Sequence, residues 1–547
     1  MDAARSEVTI RLAGFDTEIA AAPGTSLLAA VRSAGMDVDA DCAGRGTCGL
    51  CAVRFLMGAP PAGGDDEAVL GADSIADGWR LACQSYVSMS CTVSLTPPAT
   101  RGSMHILADG AEARPRDRGL HRRAGWGAAI DLGTTTVVCY LMDLSRARQA
   151  GVAAFANPQR RFGQDIISRI AYAHESPEQL ARLQAMLVGA IDEALAGLCS
   201  ERGIARRELQ AVTVAGNPTM LHLLAGIDPW PLGVAPFEPA FHESFTVASA
   251  DLGFTRITAA VEILPLVAGH LGADAVAGIA ALGLTRRPGL SLFIDLGTNG
   301  EIALADAGDA VGCSVAAGPA FEGGQISCGM AALPGAIRRV DEEDGRLRLD
   351  VIGGGAARGL CGSGLTDITA LLLSRGGISP SGKMAAPGSV PASAPRYVRN
   401  GLRCGDDGVR FVLSEDAEPV VALSAHDVRE VQLAKAAVRT GIDVLLEERG
   451  ALPDQVDDVY LAGAFGSSIR PDSLLALGML PPQLRGCIRP AGNTAGVGAK
   501  LALTYEESID EARRLARTMR HIELMSRPDF QDRFAANIAF PAPAAPR

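Results

Sequence analysis

The chain has 547 residues, which corresponds to three or four domains at roughly 150 residues each. Its 50 basic and 62 acidic side chains give a net charge of −12, which argues against a nucleic-acid partner because such proteins need a basic face. No run of about 18 uncharged apolar residues occurs, and the first residues lack the basic-then-apolar order of a signal peptide. We therefore expect a cytoplasmic protein without a membrane span.

Residues 1–97 are predicted to form one small domain. Alternating strands precede a short helix with Thr25 as its N-cap, and a cysteine-containing loop and further strands follow. This order of elements is that of a β-grasp domain. Residues 98–125 contain prolines, glycines and arginines without an apolar period, so we predict a linker there. A solvated tether is the expectation, and docking of the acidic first domain onto this basic stretch is the alternative.

The cysteine spacing of the first domain indicates an iron–sulfur cluster. Cys42, Cys48 and Cys51 lie in one glycine-rich loop, and Cys83 follows 31 residues after it. Three thiolates from a loop and one from a distant strand end form the plant-type [2Fe–2S] arrangement, here with one extra residue in the first gap. Zinc is the alternative metal, and Cys91 is the alternative fourth ligand. With its glycine-rich loop, the segment resembles the [2Fe–2S] ferredoxin domain.

The remainder of the chain contains an internal repeat. GAAIDLGTTTVVCYLMD at 127–143 is echoed by LFIDLGTNGEIALAD at 292–306, and AVTVAGNPTM at 211–220 is echoed by DVYLAGAFGS at 458–467. The second copy is longer by roughly 80 residues, which we place in an insertion at about 318–424. These spacings predict a duplicated α/β unit.

The predicted boundaries follow from this repeat. The first half comprises residues 126–206, which form either a separate middle region or its first part, and residues 207–285. The second half comprises residues 286–525, and residues 526–547 form a C-terminal tail. Ser424 and Asp427 form a predicted capping box at the start of a long helix with one apolar stripe, and on this helix we expect Lys435 to face solvent.

Two corners of this repeat carry candidate catalytic residues, Asp131 and Asp295, each followed by Leu-Gly-Thr between two apolar strands. In such a corner glycine permits close backbone approach, while hydroxyl and N–H groups hold phosphate oxygens. The carboxylate holds hydrated Mg²⁺ or positions a nucleophile. The G-x-x-x-x-G-K-[ST] signature is absent, so a P-loop enzyme is excluded.

The duplicated corner resembles the acetate kinase, sugar kinase, Hsp70 and actin (ASKHA) superfamily, in which two ribonuclease-H-like halves clasp ATP. The resemblance implies two phosphate motifs, an adenosine-side motif and, in addition, a glycine-rich CGSG segment near the nucleotide. The first phosphate motif corresponds to Gly133, Thr134, Thr135 and Thr136, and the second to Gly297, Thr298 and Asn299. The adenosine-side motif corresponds to Gly463, Ala464, Phe465 and Gly466, and the CGSG segment supplies Gly362, Ser363 and Gly364.

One family carries a ferredoxin domain and this clasp in this order, and the chain resembles it: the reductive activators of corrinoid proteins. NPQRRFGQDIISRI, GNPTMLHLLAGIDPWPLGVAPFEP, AAGPAFEGGQISCGM and GLCGSGLTD also look like that family. The resemblance implies an ATP-hydrolysing electron-transfer enzyme that returns the cobalt of a corrinoid (cobalamin-carrying) methyltransferase protein from Co(II) to Co(I). The electron passes through a [2Fe–2S] cluster held by Cys42, Cys48, Cys51 and Cys83.

The implied cofactors are the cluster, ATP and Mg²⁺, and the implied partners are a corrinoid protein and a low-potential electron donor. A homodimer is left open. Two other functions also remain open at this point: a redox-controlled ATPase that activates another enzyme, and a non-catalytic redox sensor or binding protein.

Overall fold

The computed structural model describes residues 7–13, 17–34, 38, 46, 51–95, 109–111, 125–163, 165–297, 299–405, 408–415, 420–466 and 468–542. Three of the predicted site residues, Cys42, Cys48 and Thr298, lie outside the described residues. Ala464 and Phe465 are described in their backbone only.

The first domain is a β-grasp fold built on a mixed five-stranded sheet in the order β2-β1-β7-β4-β5, with a short β3-β6 pair beside it. Strands β1 and β7 are parallel, and their inward side chains form the core together with helix α1. The elements are β1 Val8–Leu12, β2 Thr17–Ala21, β3 Thr25–Ser26, α1 Leu27–Ser33, β4 Ala52–Met57, α2 Gly64–Leu70, α3 Ala72–Ala76, β5 Trp79–Leu81, β6 Tyr86–Val87 and β7 Cys91–Ser94.

The start of α1 corrects one expectation. Ser26, not Thr25, is the N-cap, because its hydroxyl accepts a hydrogen bond from the Ala29 amide at 3.2 Å. The Thr25 hydroxyl instead donates to the Ala22 carbonyl at 2.7 Å and closes the preceding turn. Two adjacent hydroxyl residues gave the same local signal, and the turn decided between them.

The first half of the clasp is a six-stranded sheet in the order β10-β9-β8-β11-β13-β12. Strands β8, β9 and β10 form an antiparallel meander, while β11 and β13 run parallel to β8. The elements are β8 Trp126–Leu132, β9 Thr136–Asp143, β10 Arg148–Ala156, α4 Ile166–Glu175, α5 Pro177–Glu201, β11 Leu209–Gly216, α6 Pro218–Ala225, α7 Trp230–Gly233, β12 Phe245–Ala248, β13 Ala260–Ile263 and α8 Ala273–Leu282.

The second half repeats this topology in a sheet of order β24-β23-β14-β15-β16-β25. Strands β14, β15 and β16 form the meander, and β23 and β24 run parallel to β14. The elements are β14 Leu290–Leu296, β15 Gly300–Asp306, β16 Asp309–Val315, β17 Ala336–Glu343, β18 Arg346–Val351, β19 Gly359–Leu360, α9 Gly362–Ser374, α10 Arg396–Gly401, β20 Leu402–Gly405, β21 Gly408–Ser414, β22 Val421–Ser424, α11 Ala425–Glu448, β23 Val456–Ala462, α12 Gly463–Gly466, α13 Pro471–Ala476, β24 Ile488–Gly492, α14 Thr494–Thr504, α15 Glu506–Thr518, β25 Arg520–His521 and α16 Phe530–Ala536.

The two halves are therefore a duplicated ribonuclease-H-like fold, as the repeat predicts. Each half contributes one helix to the interface between them. Helix α8 of the first half packs on the second sheet, where Val276 and Ile279 join Phe293 in one apolar cluster. Helix α14 of the second half packs on the first sheet, where Leu503 joins Ile130. The amino-terminal ends of both helices lie near the predicted catalytic aspartates: Asn493, the N-cap of α14, bonds Asp131, and Asp274 is in the first turn of α8 close to Asp295.

The predicted insertion forms structure of its own. Two small sheets, β18-β17-β19 and β20-β21-β22, lie between β16 and α11. Helix α11 begins with the predicted capping box, in which the Ser424 hydroxyl accepts from the Asp427 amide at 3.2 Å and the Asp427 carboxylate accepts from the Ser424 amide at 2.8 Å.

The expectation for Lys435 is wrong. Its side chain is 2% exposed, and its ammonium group donates to the Ala539 carbonyl at 2.7 Å beside the Phe540 ring. Residues 538–540, within the predicted tail, pack along α11 and cover the face that its sequence leaves polar. The apolar stripe of α11 predicts which face of the helix packs on its sheet. It does not predict that a segment a hundred residues later covers another face.

One helix of the described chain, Pro177–Glu201, is long and apolar enough by composition to cross a membrane, and half of its most apolar window is buried. It packs against β9, α6 and α4, which accounts for this apolar composition. The cysteines outside the predicted cluster site form no disulfide among the described residues. Six of them are buried, Cys404 is exposed and Cys487 is half-buried; the buried ones are Cys91, Cys139, Cys199, Cys313, Cys328 and Cys361.

Candidate functional site

The two predicted catalytic aspartates occupy equivalent positions in the duplicated fold. Asp131 lies near the carboxyl end of β8 and pairs with Ala215 of β11. Asp295 lies near the carboxyl end of β14 and pairs with Ala462 of β23. Each strand ends in a tight corner, closed in the first half by a bond from the Gly133 amide to the Thr136 carbonyl.

Gly463 brings the Ala-Gly turn of the second half against the aspartate. Its φ is +80°, and a Cβ atom placed there would be 2.4 Å from Asp295 Oδ1. Only glycine fits both the left-handed backbone and this close approach. The segment predicted to line the adenosine side therefore begins directly at the Asp295 carboxylate.

Asn493 connects the halves across the groove. Its side-chain amide donates to Asp131 Oδ2 at 2.7 Å, and its Oδ1 accepts from the Gly496 amide at 2.7 Å, which caps α14. The helix end thus fixes the rotamer of a residue that orients a carboxylate 362 positions earlier in the chain.

Four half-buried acidic side chains meet in this groove, which we call the carboxylate cluster: Asp131, Asp274 in the first turn of α8, Asp295 and Glu301. Burial raises the pKa of Asp131 to about 7, that of Asp274 to about 6 and that of Asp295 to about 8. The pKa of Glu301 is also raised, first by burial and then by the charges of Asp274 and Asp295. The groove therefore concentrates negative charge that a cation would neutralise.

Three side chains outside the predicted first phosphate motif donate hydrogen bonds to its residues. Asn217, at the start of α6, donates to Thr134 Oγ1 at 2.9 Å. Arg169 is fully buried and donates to the Thr134 carbonyl at 2.6 Å, and Asn157 donates to the Gly133 carbonyl at 2.9 Å. These three residues lie in stretches that resemble the family, but no pairwise spacing links them to the motif.

The predicted second phosphate motif differs from the first in the residue that pairs with its aspartate. The Gly297 amide donates to the Asn299 carbonyl at 3.0 Å, so this corner closes one residue earlier than the first, where Gly133 bonds Thr136. Glu301, near the start of β15, therefore pairs directly with Asp295 across the strands, whereas Asp131 pairs with Val138 in the first half. The two corners differ in length, and the second carries an additional carboxylate.

The CGSG segment is placed less favourably for contact with a nucleotide. Gly362, Ser363 and Gly364 form the buried start of α9 against β17. The Ser363 hydroxyl donates to the Arg338 carbonyl at 2.8 Å, and a Cβ on Gly364 would be 2.2 Å from the Ile337 carbonyl oxygen. These contacts are with β17, which belongs to the predicted insertion, so a role of Gly362, Ser363 and Gly364 in nucleotide binding stays a prediction.

Two of the predicted cluster ligands meet in the first domain. The Sγ atoms of Cys51 and Cys83 are 3.3 Å apart, and both side chains are buried. This separation is too long for a disulfide, whose sulfurs stand about 2.05 Å apart, and suits two thiolates on one metal ion. By contrast, Cys91 lies in the core of β7 opposite Ile10. The described residues thus fit a cluster at the predicted loop.

The turn that carries Cys83 is fixed by a residue outside the cysteine pattern. Asp66 is 2% exposed and accepts hydrogen bonds from the Leu81 amide at 2.7 Å and the Gly63 amide at 2.9 Å. The Ala82 amide donates to the Cys51 carbonyl at 2.8 Å.

Among the side chains that the structure describes, no three His, Cys, Asp or Glu residues form a metal-binding group.

Comparison with known proteins identifies the family. Residues 10–88 match the 2Fe-2S iron-sulfur cluster binding domain, residues 126–287 match the RACo middle region, and residues 289–546 match the C-terminal domain of RACo, the ASKHA domain. The chain is 34% identical over 419 residues to the corrinoid activation enzyme RamQ of Eubacterium limosum, covering 76% of this chain and 70% of that protein. The chain belongs to the family of reductive activators of corrinoid proteins.

Two further relatives agree with this assignment. The [Co(II) methylated amine-specific corrinoid protein] reductase of Methanosarcina barkeri is 23% identical over 450 residues, which cover 76% of this chain and 77% of the reductase. The solved structure of a reductive activator for corrinoid, iron-sulfur protein covers 98% of this chain and 99% of its own, with 28% identity and a TM-score of 0.67. That solved structure therefore has counterparts for nearly the whole of this chain.

Proposed function

We propose that the chain returns the cobalt of a corrinoid methyltransferase protein from Co(II) to Co(I), using ATP hydrolysis and one electron delivered through its [2Fe–2S] domain. The observation that carries this proposal is the pair of equivalent aspartates, Asp131 and Asp295, facing one groove in a chain that also brings Cys51 and Cys83 together. An ATP clasp and a one-electron carrier on one chain fit an energetically uphill reduction.

The nucleotide lies between the halves in this proposal. The N–H and hydroxyl groups of residues 133–136 and 297–299 receive phosphate oxygens, and Gly463–Gly466 line the adenosine side. Asp131 and Asp295 hold the hydration shell of Mg²⁺, which ordinarily keeps several waters and takes only one or two carboxylates. The raised pKa values of the carboxylate cluster support this, since a divalent cation relieves the like-charge repulsion.

Cys42, Cys48, Cys51 and Cys83 would hold a [2Fe–2S] cluster, which would supply one-electron transfer between a low-potential donor and Co(II). The 3.3 Å separation supports Cys51 and Cys83 as ligands of the same iron. Plant-type clusters have potentials near −400 mV, and each 100 mV of uphill gap costs about 2.3 kcal/mol per electron. ATP binding and hydrolysis supply this energy by changing the conformation of the two halves, and hydrolysis is coupled to release of the partner.

The test mixes the full-length protein with a Co(II) corrinoid protein, a low-potential reductant and Mg-ATP, and follows the visible absorption of Co(I). We expect Co(I) only when ATP is present. Asp295→Ala should abolish ATP turnover and Co(I) formation but keep the cluster spectrum. Cys83→Ser should alter the cluster and stop Co(I) formation, while Cys91→Ser, the matched control, should leave both intact.

The same variants separate the alternatives. ATP turnover with no Co(I) formed from the corrinoid protein encoded beside this chain would favour an activator of another enzyme. Failure of the wild type to turn over ATP with any corrinoid partner would favour a redox sensor. Co(I) formation that survives Cys83→Ser would remove the cluster from the electron path.

A further inference from the structure

The linker contains a short segment that pairs with the second half of the clasp. The Asn493 amide donates to the Asp109 carbonyl at 2.8 Å, and the Ala111 amide donates to the Ala491 carbonyl at 2.7 Å, which makes an antiparallel bridge between Gly110 and Gly492. Strand β24 is the edge strand of its sheet among the described residues. We call residues 109–111 the linker clip, since they add to this open edge.

The backbones at Gly110 and Gly492 lie too close together for either residue to carry a side chain. A Cβ on Gly110 would be 2.6 Å from the Asn493 carbonyl oxygen, and a Cβ on Gly492 would be 2.4 Å from the Asp109 carbonyl oxygen. Gly492 also has a φ of +73°, which favours glycine. Both sides of the contact thus carry the residue that it requires, which distinguishes it from an incidental approach of a tether to a surface.

The clip also lies next to the nucleotide groove. The Asn493 residue that bonds Asp109 through its amide holds the Asp131 carboxylate through its side chain. The clip and the first catalytic aspartate are therefore joined through a single residue.

The position of the clip changes the tether of the cluster domain. Thirteen residues, 96–108, separate the end of that domain from the clip, and thirteen more, 112–124, separate the clip from the first half. At 3.3–3.6 Å per extended residue, the clipped chain reaches about 50 Å from its anchor, while an unclipped chain reaches roughly 100 Å.

We propose that the linker clip is the working anchor of the cluster domain: it holds this domain on a short tether beside the nucleotide groove and thereby raises the rate of electron delivery. Loss of the clip roughly doubles the number of residues between the cluster domain and its anchor, and at the −3/2 power of linker length this corresponds to delivery about threefold slower.

Two variants remove the clip in different ways. Gly110→Val introduces the steric clash, and Ala111→Pro removes the amide donor to Ala491. Gly119→Val is the matched control, because it makes the same exchange nine residues later in the predicted linker sequence.

The decisive readout is the distance between the reduced paramagnetic cluster and a spin label on the exposed Cys404, in a Cys487→Ser background, measured by pulsed dipolar spectroscopy on the full chain. Wild type and Gly119→Val should share one distance distribution, and both clip variants should give a distribution shifted and broadened by the longer tether. Clip variants that keep the wild-type distribution would overturn the proposal.

The functional part rests on the proposed reduction of Co(II) and is read separately. Because Asn493 also holds Asp131, each reduction rate is divided by the ATP turnover of the same variant, and on this scale the clip variants should reduce Co(II) about threefold more slowly than Gly119→Val. Because the distance measurement needs neither ATP nor a corrinoid protein, a failure of the proposed function leaves it valid. A changed distance with an unchanged reduction rate would refute the role in delivery.

Discussion

Four carboxylates share the groove, and their environment raises the pKa of each. Burial is the largest cause for Asp131, Asp274, Asp295 and Glu301, and the like charge of Asp274 adds to it for the other three. Asp131 and Asp295 could be singled out from the sequence because both stand in a repeated motif. Asp274 and Glu301 could not, since only the packing of α8 and the pairing of β14 with β15 bring them near.

At the residue scale we predict that Asp295→Asn stabilises the ligand-free protein while abolishing ATP turnover. The folded-state pKa of Asp295, about 8, exceeds the unfolded value of about 3.9, so ionisation destabilises the fold progressively as pH rises from about 4 to 8. Removing that charge should raise the free energy of unfolding by about 1–3 kcal/mol at pH 8 and by little at pH 4.5.

Thermal and urea unfolding at the two pH values measure this difference. Asp472→Asn is the matched control, because Asp472 is exposed and outside the groove. A stabilisation equal at both pH values would mean that the Asp295 charge is not its cause.

At the scale of elements, the sequence predicts the strands, their repeat and the capping of α11, because each of these is a local pattern. It does not predict how the first phosphate motif is supported, since Asn217 and Arg169 reach Thr134 from helices that become neighbours only in the fold. Nor does it predict that Lys435 is buried, because the covering segment belongs to the far end of the chain.

Asn217→Asp tests the support of the first motif. The aspartate keeps the side-chain oxygen that accepts from the Met220 amide and caps α6, but it loses the amide that donates to Thr134. We expect stability within about 1 kcal/mol of wild type and a nucleotide affinity at least tenfold lower, since a negative charge now faces the phosphates.

The affinity is measured by titration calorimetry with a non-hydrolysable ATP analogue. Thr134→Ser retains the hydroxyl that accepts the bond and should bind nearly as well as wild type. An unchanged affinity in Asn217→Asp would place the phosphates away from this motif.

Lys435 provides a test of the packed C-terminal segment. Burial lowers its pKa to about 8, below the unfolded value of about 10.4, so the unfolded chain binds more protons between these values. The stability of the wild type relative to Lys435→Met should therefore rise between pH 8 and pH 10, by about 1–3 kcal/mol, and stay constant below pH 7. Urea unfolding across this range measures it, and Lys383→Met, at an exposed position, should show no such change.

A pH-independent difference between wild type and Lys435→Met would mean that the ammonium group reaches water. In that case the contact of residues 538–540 with α11 would not be maintained in solution.

At the scale of the whole molecule, the account joins a one-electron carrier to an ATP clasp through a linker that is anchored at the groove. The ferredoxin domain, the ASKHA fold and their order follow from motifs in the sequence, and the comparisons confirm them. The sequence does not predict that the linker pairs with β24, because residues 109–111 contain no pattern other than a glycine that allows close contact.

The central claim is that ATP drives an electron from the cluster to cobalt, and a single-turnover experiment tests it most directly. The full-length protein is reduced, freed of reductant and mixed with the Co(II) corrinoid protein, with or without Mg-ATP, while cluster and cobalt absorption are followed together. The account predicts that cluster oxidation and Co(I) appearance share one rate and a one-to-one yield, and that both require ATP. Co(I) formation without cluster oxidation, or at the same rate and yield without ATP, would contradict it.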